Sequence, residues 1–323
     1  MLSASYSSCY DDFVRLVYMG SPEFAVLPLR YLVEEGYEVV AVYTKKDKPT
    51  GRGRVLSISP VKKEALSSGL TTVQPTNLRE EAVQAELWSF RPEIIVVCAY
   101  GQILPEAVLS LPKYGCINIH PSLLPRHRGA SPVAATILAG DAWGGTSLML
   151  MDKGLDTGPV LARAPVCVRA DDTAYLLAAR LSLISARLLI DVLPRWVRGG
   201  ITPQLQDGAR ATYFKVITKE AGAIDWVQPA INIWRQVRAF HPWPGAYTHF
   251  QGRILKLLTV QAVVGGAGIA PGTVVALNNG FGVATGAGIL EVIRVQLEGR
   301  QVVTGIDFLR GQRDLIGAVL TLQ

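Results

Sequence analysis

The sequence predicts an α/β protein: a doubly wound, mostly parallel sheet followed by a small C-terminal β-barrel. Three observations carry that prediction. Up to about residue 199, short Val-, Ile- and Leu-rich runs alternate with segments of helical period. Those runs end in Gly- and Pro-containing turns, the punctuation of βα units with right-handed crossovers. Beyond Gly199-Gly200 the texture changes to short β-type runs separated by Gly- and Asn-rich turns, as in a small barrel.

The elements follow in order. Arg15 to Met19 reads as a first strand ending at Gly20-Ser21-Pro22, and Glu23 to Glu35 as a helix closed by Gly36. Glu38 to Tyr43 is a valine-rich second strand, and Thr71 to Val73 a short third one after a Lys/Glu-bearing helix. Arg79 to Ser89 is helical, and Glu93 to Ala99 is a strongly apolar strand. Gly115 to His120 is the next strand and Ser131 to Leu138 the next helix. Thr146 to Met151 and Pro159 to Val168 are strands, and Asp172 to Arg198 is a long helix expected to break or kink near Pro194. A polar stretch from 200 to 218 reads as a linker. After a helix at Asn232 to Phe240 come strands at Ala246 to Phe250, Ile254 to Val260, Gly272 to Ala276, Phe281 to Ala284 and Ile289 to Gln296. A terminal helix is expected from Gly305 to Ala318. The implied division is a tail at 1–12, a catalytic domain at 13–199, the linker, and a barrel at 219–323.

At 323 residues the chain can bury two sizeable cores. No apolar run approaches the roughly 18 residues of a membrane span. Met1 to Asp12 has neither the pattern of a secretory signal nor that of a transit peptide, so a cytoplasmic protein is expected. Cys9, Cys98, Cys116 and Cys167 lack metal-ligand spacing, and no metal is expected. A formal charge of +6 permits a polyanionic partner without requiring one.

The chemistry concentrates in Cys116-Ile117-Asn118-Ile119-His120-Pro121-Ser122. Asn118 and His120 are two apart on a strand, so their side chains share a face. A carboxamide donor beside an imidazole can stabilise an oxyanion and move a proton. Ser122 to Gly129 follows directly, and Asp156 lies further on in Gly154-Leu155-Asp156-Thr157-Gly158. Alone, Asp156 would read as a turn aspartate bonding its own backbone. Lys45, Lys46, Lys48, Arg52, Arg54, Lys62 and Lys63 form a basic stretch interrupted by Asp47. From Lys219 onward nine basic residues stand against six acidic ones, so the barrel is mildly basic.

Taken together, these motifs resemble the folate-dependent formyltransferases, and among them the branch acting on methionyl-tRNA. The likeness runs from Arg15 onward. It includes Tyr18 to Val26, Asp47-Lys48-Pro49-Thr50-Gly51-Arg52-Gly53, Ala99 to Pro105, Thr218-Lys219-Glu220 with Ile224-Asp225-Trp226, and Arg238 to Pro244. The Gly-Arg-Gly loop and the Pro-Trp-Pro stretch are most typical of that branch.

The resemblance implies formyl transfer from 10-formyltetrahydrofolate to the α-amino group of methionyl-initiator tRNA, by a monomer without membrane attachment or metal. It implies Asn118, His120 and Asp156 as catalytic residues. Ser122, Leu123, Leu124 and Pro125 would touch folate, with Tyr100, Gln102, Ile103 and Leu104 lining the pterin pocket. Gly20, Ser21 and Pro22 would lie near the methionyl end, with Lys45, Lys46, Lys48, Arg52 and Arg54 on the tRNA. His127 stands where the family more often has an aromatic residue, and Ser131-Pro132-Val133-Ala134 replaces a commoner Ala-Pro-Ile-Gln. A 10-formyltetrahydrofolate hydrolase and a sugar-amine formyltransferase share the His-Pro-Ser-Leu-Leu-Pro type of string. An inactive RNA-binding protein is the non-enzyme alternative, against which the intact Asn118, His120 and Asp156 argue.

Overall fold

The computed structural model describes residues 14–50, 55–266 and 268–322, with backbone alone at 48–50 and 55–56. The expected tail at 1–12 lies outside the described residues.

Along the chain run β1 (Leu16–Gly20), α1 (Val26–Glu34), β2 (Val39–Tyr43), β3 (Lys48–Thr50), β4 (Val55–Ser57), α2 (Pro60–Ser67), β5 (Thr72–Val73), α3 (Glu81–Ser89), β6 (Ile94–Cys98), α4 (Glu106–Leu109) and β7 (Cys116–His120). Then come β8 (Arg128–Gly129), α5 (Pro132–Ala139), β9 (Trp143–Leu150), β10 (Val160–Cys167), α6 (Ala174–Val197) and β11 (Tyr213–Phe214). The remainder is α7 (Ala230–Ala239), β12 (Ala246–Phe250), β13 (Arg253–Val263), β14 (Val274–Leu277), β15 (Gly280–Ala284), β16 (Ile289–Leu297), β17 (Val302–Thr304) and α8 (Gly305–Gly311). The chain forms two compact units. One comprises the residues up to Arg128, Gly145–Pro165 and Ala179–Thr212; the other comprises Gly129–Gly144, Val166–Ala178 and Tyr213 onward.

In the first unit a seven-stranded sheet runs β10-β9-β7-β6-β1-β2-β5. From β5 across to β7 the pairs are parallel, and β9 is antiparallel to β7. The chain winds outward from β1 to β2 and β5, then returns to β6 and β7. The winding therefore reverses between β1 and β6, the kind of point where open α/β sheets take ligands at their strand ends. The strands are apolar at nearly every position because both faces are covered. Leu16, Tyr18, Val96, Ile117 and Ile119 belong to the core on one face; Val17, Met19, Ile95, Val97 and Cys116 belong to the core on the other. Ser59 caps α2 by accepting from the Lys62 N–H at 3.1 Å, and Pro60 pre-sets its first turn. The helix α6 passes through Pro194 without the expected break. Leu189, Val192 and Leu193 are buried beside that proline, and this packing outweighs its missing N–H.

The second unit is built on an antiparallel sheet, β12-β13-β16-β15-β14, with β17 on β16. Its core gathers Trp226, Ile233, Val237, Phe250, Phe281, Val292 and Phe308. The expected terminal helix stops at Gly311. Beyond it the chain turns at Gly317, and residues 318–321 join the sheet's two margins. The Thr321 main chain exchanges hydrogen bonds with His249 of β12, and Ala318 O accepts from Val274 N of β14 at 2.8 Å. Backbone pairing across this gap satisfies more main-chain groups than another helical turn would, and it closes the sheet into a barrel.

Candidate active site

The first unit's sheet dictates how the site assembles. Cys116, Asn118 and His120 occupy alternate positions of β7, and Cys116 is packed in the core of one sheet face. Asn118 and His120 therefore continue that row toward the strand's C-terminal end. The imidazole is buried. The strand end beneath it is held by Thr146, whose hydroxyl donates to His120 O at 3.3 Å and accepts from the Ser185 hydroxyl at 2.8 Å.

Asp156 arrives on the connection between β9 and β10. Its Oδ1 accepts from Asn118 Nδ2 at 3.3 Å and stands 3.6 Å from His120 Nδ1. Asp156 Oδ1 thus lies within 3.6 Å of both expected partners, bonded to Asn118 and in ion-pair range of His120. The loop is tightly folded. Asp152 Oδ1 accepts from Gly154 N at 3.0 Å and from the Thr157 hydroxyl at 2.7 Å. At Gly158 any Cβ would run into the carbonyl oxygen of Leu150, so only glycine fits. Asp156 itself takes a left-handed backbone, φ +53°.

The other imidazole nitrogen, His120 Nε2, lies 3.0 Å from the main-chain oxygen of His127. A carbonyl can only accept, so Nε2 carries the proton and the neutral ring presents the Nδ1 lone pair toward Asp156. Burial pushes the His120 pKa below its usual 6.5, while the Asp156 carboxylate and the His127 carbonyl pull it part of the way back. The sequence could not single out His127 for this role, because the contact uses its main chain.

The remaining expected residues divide. Ser122 is buried, and its hydroxyl donates to Arg126 O at 2.6 Å. Leu124 packs with Met149 and Val160, and its main chain is held by Ser147 and Arg163. Their side chains support the loop, and Leu123 and Pro125 are the partly exposed ones. Leu104 joins the core, Gln102 donates to Pro75 O at 3.1 Å, and Ile103 is 81% exposed. Ser21 is buried and ties three strand ends: its Oγ accepts from Lys45 N at 3.1 Å, meets the Thr44 hydroxyl at 3.3 Å and faces Tyr100 O at 3.5 Å. Gly20 is buried, whereas Pro22 is exposed beside it.

Lys45 and Lys46 are exposed, and the Lys45 ammonium sits against Gly101. Arg52 and Arg54 lie outside the described residues, as does the Lys48 side chain. Lys62 is committed elsewhere: its Nζ bonds Asp47 at 2.5 Å and Gln74 at 2.6 Å, and Gln74 Nε2 returns to Asp47 at 2.9 Å. The Lys62 and Gln74 bonds hold the Asp47 carboxyl below its ordinary pKa.

Cys98 and Cys116 are buried thiols pushed up to about 12 by burial, which leaves them inert as nucleophiles. Among the described residues no group of three His, Cys, Asp or Glu side chains could hold a metal ion.

The donor set suits a folate carrying a formyl group. A flat heteroaromatic ring calls for an exposed apolar wall and buried polar groups awaiting a partner. Ile103 offers the first. The Tyr100 hydroxyl, buried without a partner among the described residues, offers the second.

Fold and site together define a formyl-group transferase. The family model described as "Formyl transferase" matches residues 14–193, and that of its C-terminal domain matches residues 216–313. A methionyl-tRNA formyltransferase of Dehalococcoides mccartyi is 50% identical over 308 residues, covering 95% of this chain and 98% of that one. Another, from Roseiflexus sp., is 46% identical and covers 93% of each. The chain belongs to the methionyl-tRNA formyltransferase family. Among solved structures, the sugar 3N-formyl transferase WlaRD, crystallised with dTDP and 5-N-formyl-THF, aligns with a TM-score of 0.65 over 90% of this chain and all of that one. An N-formyltransferase from Helicobacter canadensis gives the same TM-score over 87% of this chain. At 16% and 17% identity these two show the shared fold.

Proposed function

We infer that this chain transfers the formyl group of 10-formyltetrahydrofolate to the α-amino group of methionyl-initiator tRNA, yielding N-formylmethionyl-tRNA. The observation that carries this reading is the convergence of Asn118, His120 and Asp156 on one sheet face, in a chain half identical to a methionyl-tRNA formyltransferase.

When bound, 10-formyltetrahydrofolate supplies the electrophilic formyl carbon. The chain's residues do the rest. Asn118 donates one amide N–H to Asp156 and keeps the other for the formyl oxygen, where negative charge develops. The acceptor amine has a pKa of about 8, so its free-base form is plentiful near neutrality. As the new N–C bond forms and the bond from carbon to N10 breaks, the amine sheds a proton and N10 gains one. His120, neutral with its lone pair at Nδ1, takes and returns that proton, and Asp156 stabilises the imidazolium while it lasts. Burial of the imidazole keeps it neutral beforehand. In this reading the two functions expected of the pair divide, Asn118 stabilising the oxyanion and His120 moving the proton.

The tRNA is held by the Lys45–Arg54 hairpin region and by the barrel, with the catalytic domain at 13–199 and the barrel at 219–323. The work is that of a cytoplasmic monomer; among the described residues no helix is long and apolar enough to cross a membrane. Formylation of charged initiator tRNA, run beside elongator methionyl-tRNA, an amino sugar nucleotide and water alone, tests the reading. Product with the initiator tRNA only is expected, and formate release without tRNA would favour the hydrolase.

A further inference from the structure

We propose that Gln206 is a positioning residue for formyl transfer, strapping the loop that carries Asp156 to the loop whose carbonyl orients His120. The proposal rests on the Asn118/His120/Asp156 reading and adds a segment that composition marks only as a linker.

The strap begins at Gln204, whose main chain pairs both ways with Val160 at 2.9 and 2.8 Å, directly after the Asp156 loop. Two residues on, Gln206 Nε2 donates to Asp156 O at 2.9 Å and to Gly158 O at 2.7 Å. Its Oε1 accepts from Arg128 Nη2 at 2.9 Å and Nε at 3.2 Å. Thr212 completes the strap: its Oγ1 accepts from His127 N at 2.8 Å, and its carbonyl accepts from Arg128 N at 2.8 Å. One stretch of chain therefore grips the main chain of Asp156 and that of His127.

Both gripped residues are non-glycines in left-handed backbone, φ +53° at Asp156 and +59° at His127. Such conformations persist where surrounding bonds over-determine them. Here those bonds fix the two groups that flank the His120 ring, and a displacement of about 1 Å in a catalytic array can cost about a hundredfold in rate. The chemistry demands a carboxamide: two N–H donors toward carbonyls on one side and one acceptor toward a guanidinium on the other. Glutamate keeps the acceptor and loses both donors; leucine loses all three.

The test uses the full chain with Gln206→Glu, Gln206→Leu, Asp156→Asn and the Gln206→Leu/Asp156→Asn pair. Both Gln206 variants are expected to lower kcat tenfold or more, with KM for folate and tRNA within twofold. In the Asp156→Asn background Gln206→Leu should cost less than twofold, since it acts through that side chain; a merely structural residue would cost the same factor in either background. If Gln206→Leu fails to fold, Gln206→Glu, which retains the Arg128 pair, replaces it in the cycle. Wild-type kcat in the Gln206 variants, or full additivity, overturns the strap alone. Wild-type kcat in Asp156→Asn overturns the site reading and the strap with it.

Discussion

His120 gives its Nε2 proton to the main-chain oxygen of His127, 3.0 Å away and seven residues further along the chain. The tautomer of the strand-end imidazole is thereby set by a loop, and the nitrogen left for chemistry is the one beside Asp156.

The first consequence is titrational. Burial lowers the His120 pKa and Asp156 raises it in part. Its imidazole should titrate below 6.5 in the folded protein, as followed by NMR with His120→Ala as the subtraction control. Asp156→Asn removes the carboxylate's upward pull and should move the midpoint further down. Because the folded pKa is depressed, the ring's contribution to stability is present above 6.5 and fades as the pH falls from there toward the folded value. A midpoint above 6.5 would contradict a neutral resting imidazole.

Removing a donor from the formyl oxygen should be costly. Asn118→Ala is expected to reduce kcat by about 10²–10³, the usual loss of one oxyanion-stabilising donor. Single-turnover formylation under saturating substrates, with thermal melting to confirm folding, separates this from instability. Undiminished chemistry would assign the donor elsewhere.

Gly158 makes a different kind of demand. Gly158→Ala sets a methyl group against Leu150 O and Asp152 N. Overpacking of that sort costs about 1–3 kcal/mol and displaces the Asp156 loop. Chemical denaturation should show the loss of stability, and activity should fall in parallel. A variant as stable as the parent would mean that the loop has room the geometry does not show.

The lysines near the hairpin should behave unequally. Replacing Lys45 and Lys46 by Ala should flatten the dependence of log tRNA affinity on log salt by about 0.7–0.9 per lost phosphate contact. Lys62→Ala should leave that slope alone, because its ammonium is already spent on Asp47 and Gln74. Filter binding between low and moderate salt checks both, and equal slopes across all variants would remove these lysines from the tRNA contact.

Period-two alternation alone puts Asn118 and His120 on one face, and the distances bear this out. Asp156 needed the motif around it, since nothing in strand periodicity says that a hairpin connection folds back over β7. The His127 carbonyl was invisible for a plainer reason: main-chain acceptors carry no residue signature. Gln206 and Thr212 were hidden in a stretch polar enough to read as solvent-facing, although its polarity is consumed by carbonyls and amides of the site. Of the break or kink expected at Pro194, the break does not occur, because burial of Leu189, Val192 and Leu193 outweighs the local rule about helix breakers. The final helix was overextended because the competing partners of residues 317–321 are distant in sequence.

That distance bears on how the molecule is made. The Thr248 hydroxyl, which accepts from the indole N–H of Trp226, donates to the carbonyl of Thr321, 73 positions downstream. The seam of the barrel is thus synthesised well after the strands it joins. Until it emerges, β12 and β14 each expose an unpaired margin on which a neighbouring nascent chain could template. A chain of this family, itself in the service of translation, is exposed to misassembly until residues 318–321 have been made. Truncation before Gly317 should accordingly show itself as aggregation during expression sooner than as a loss of catalytic power.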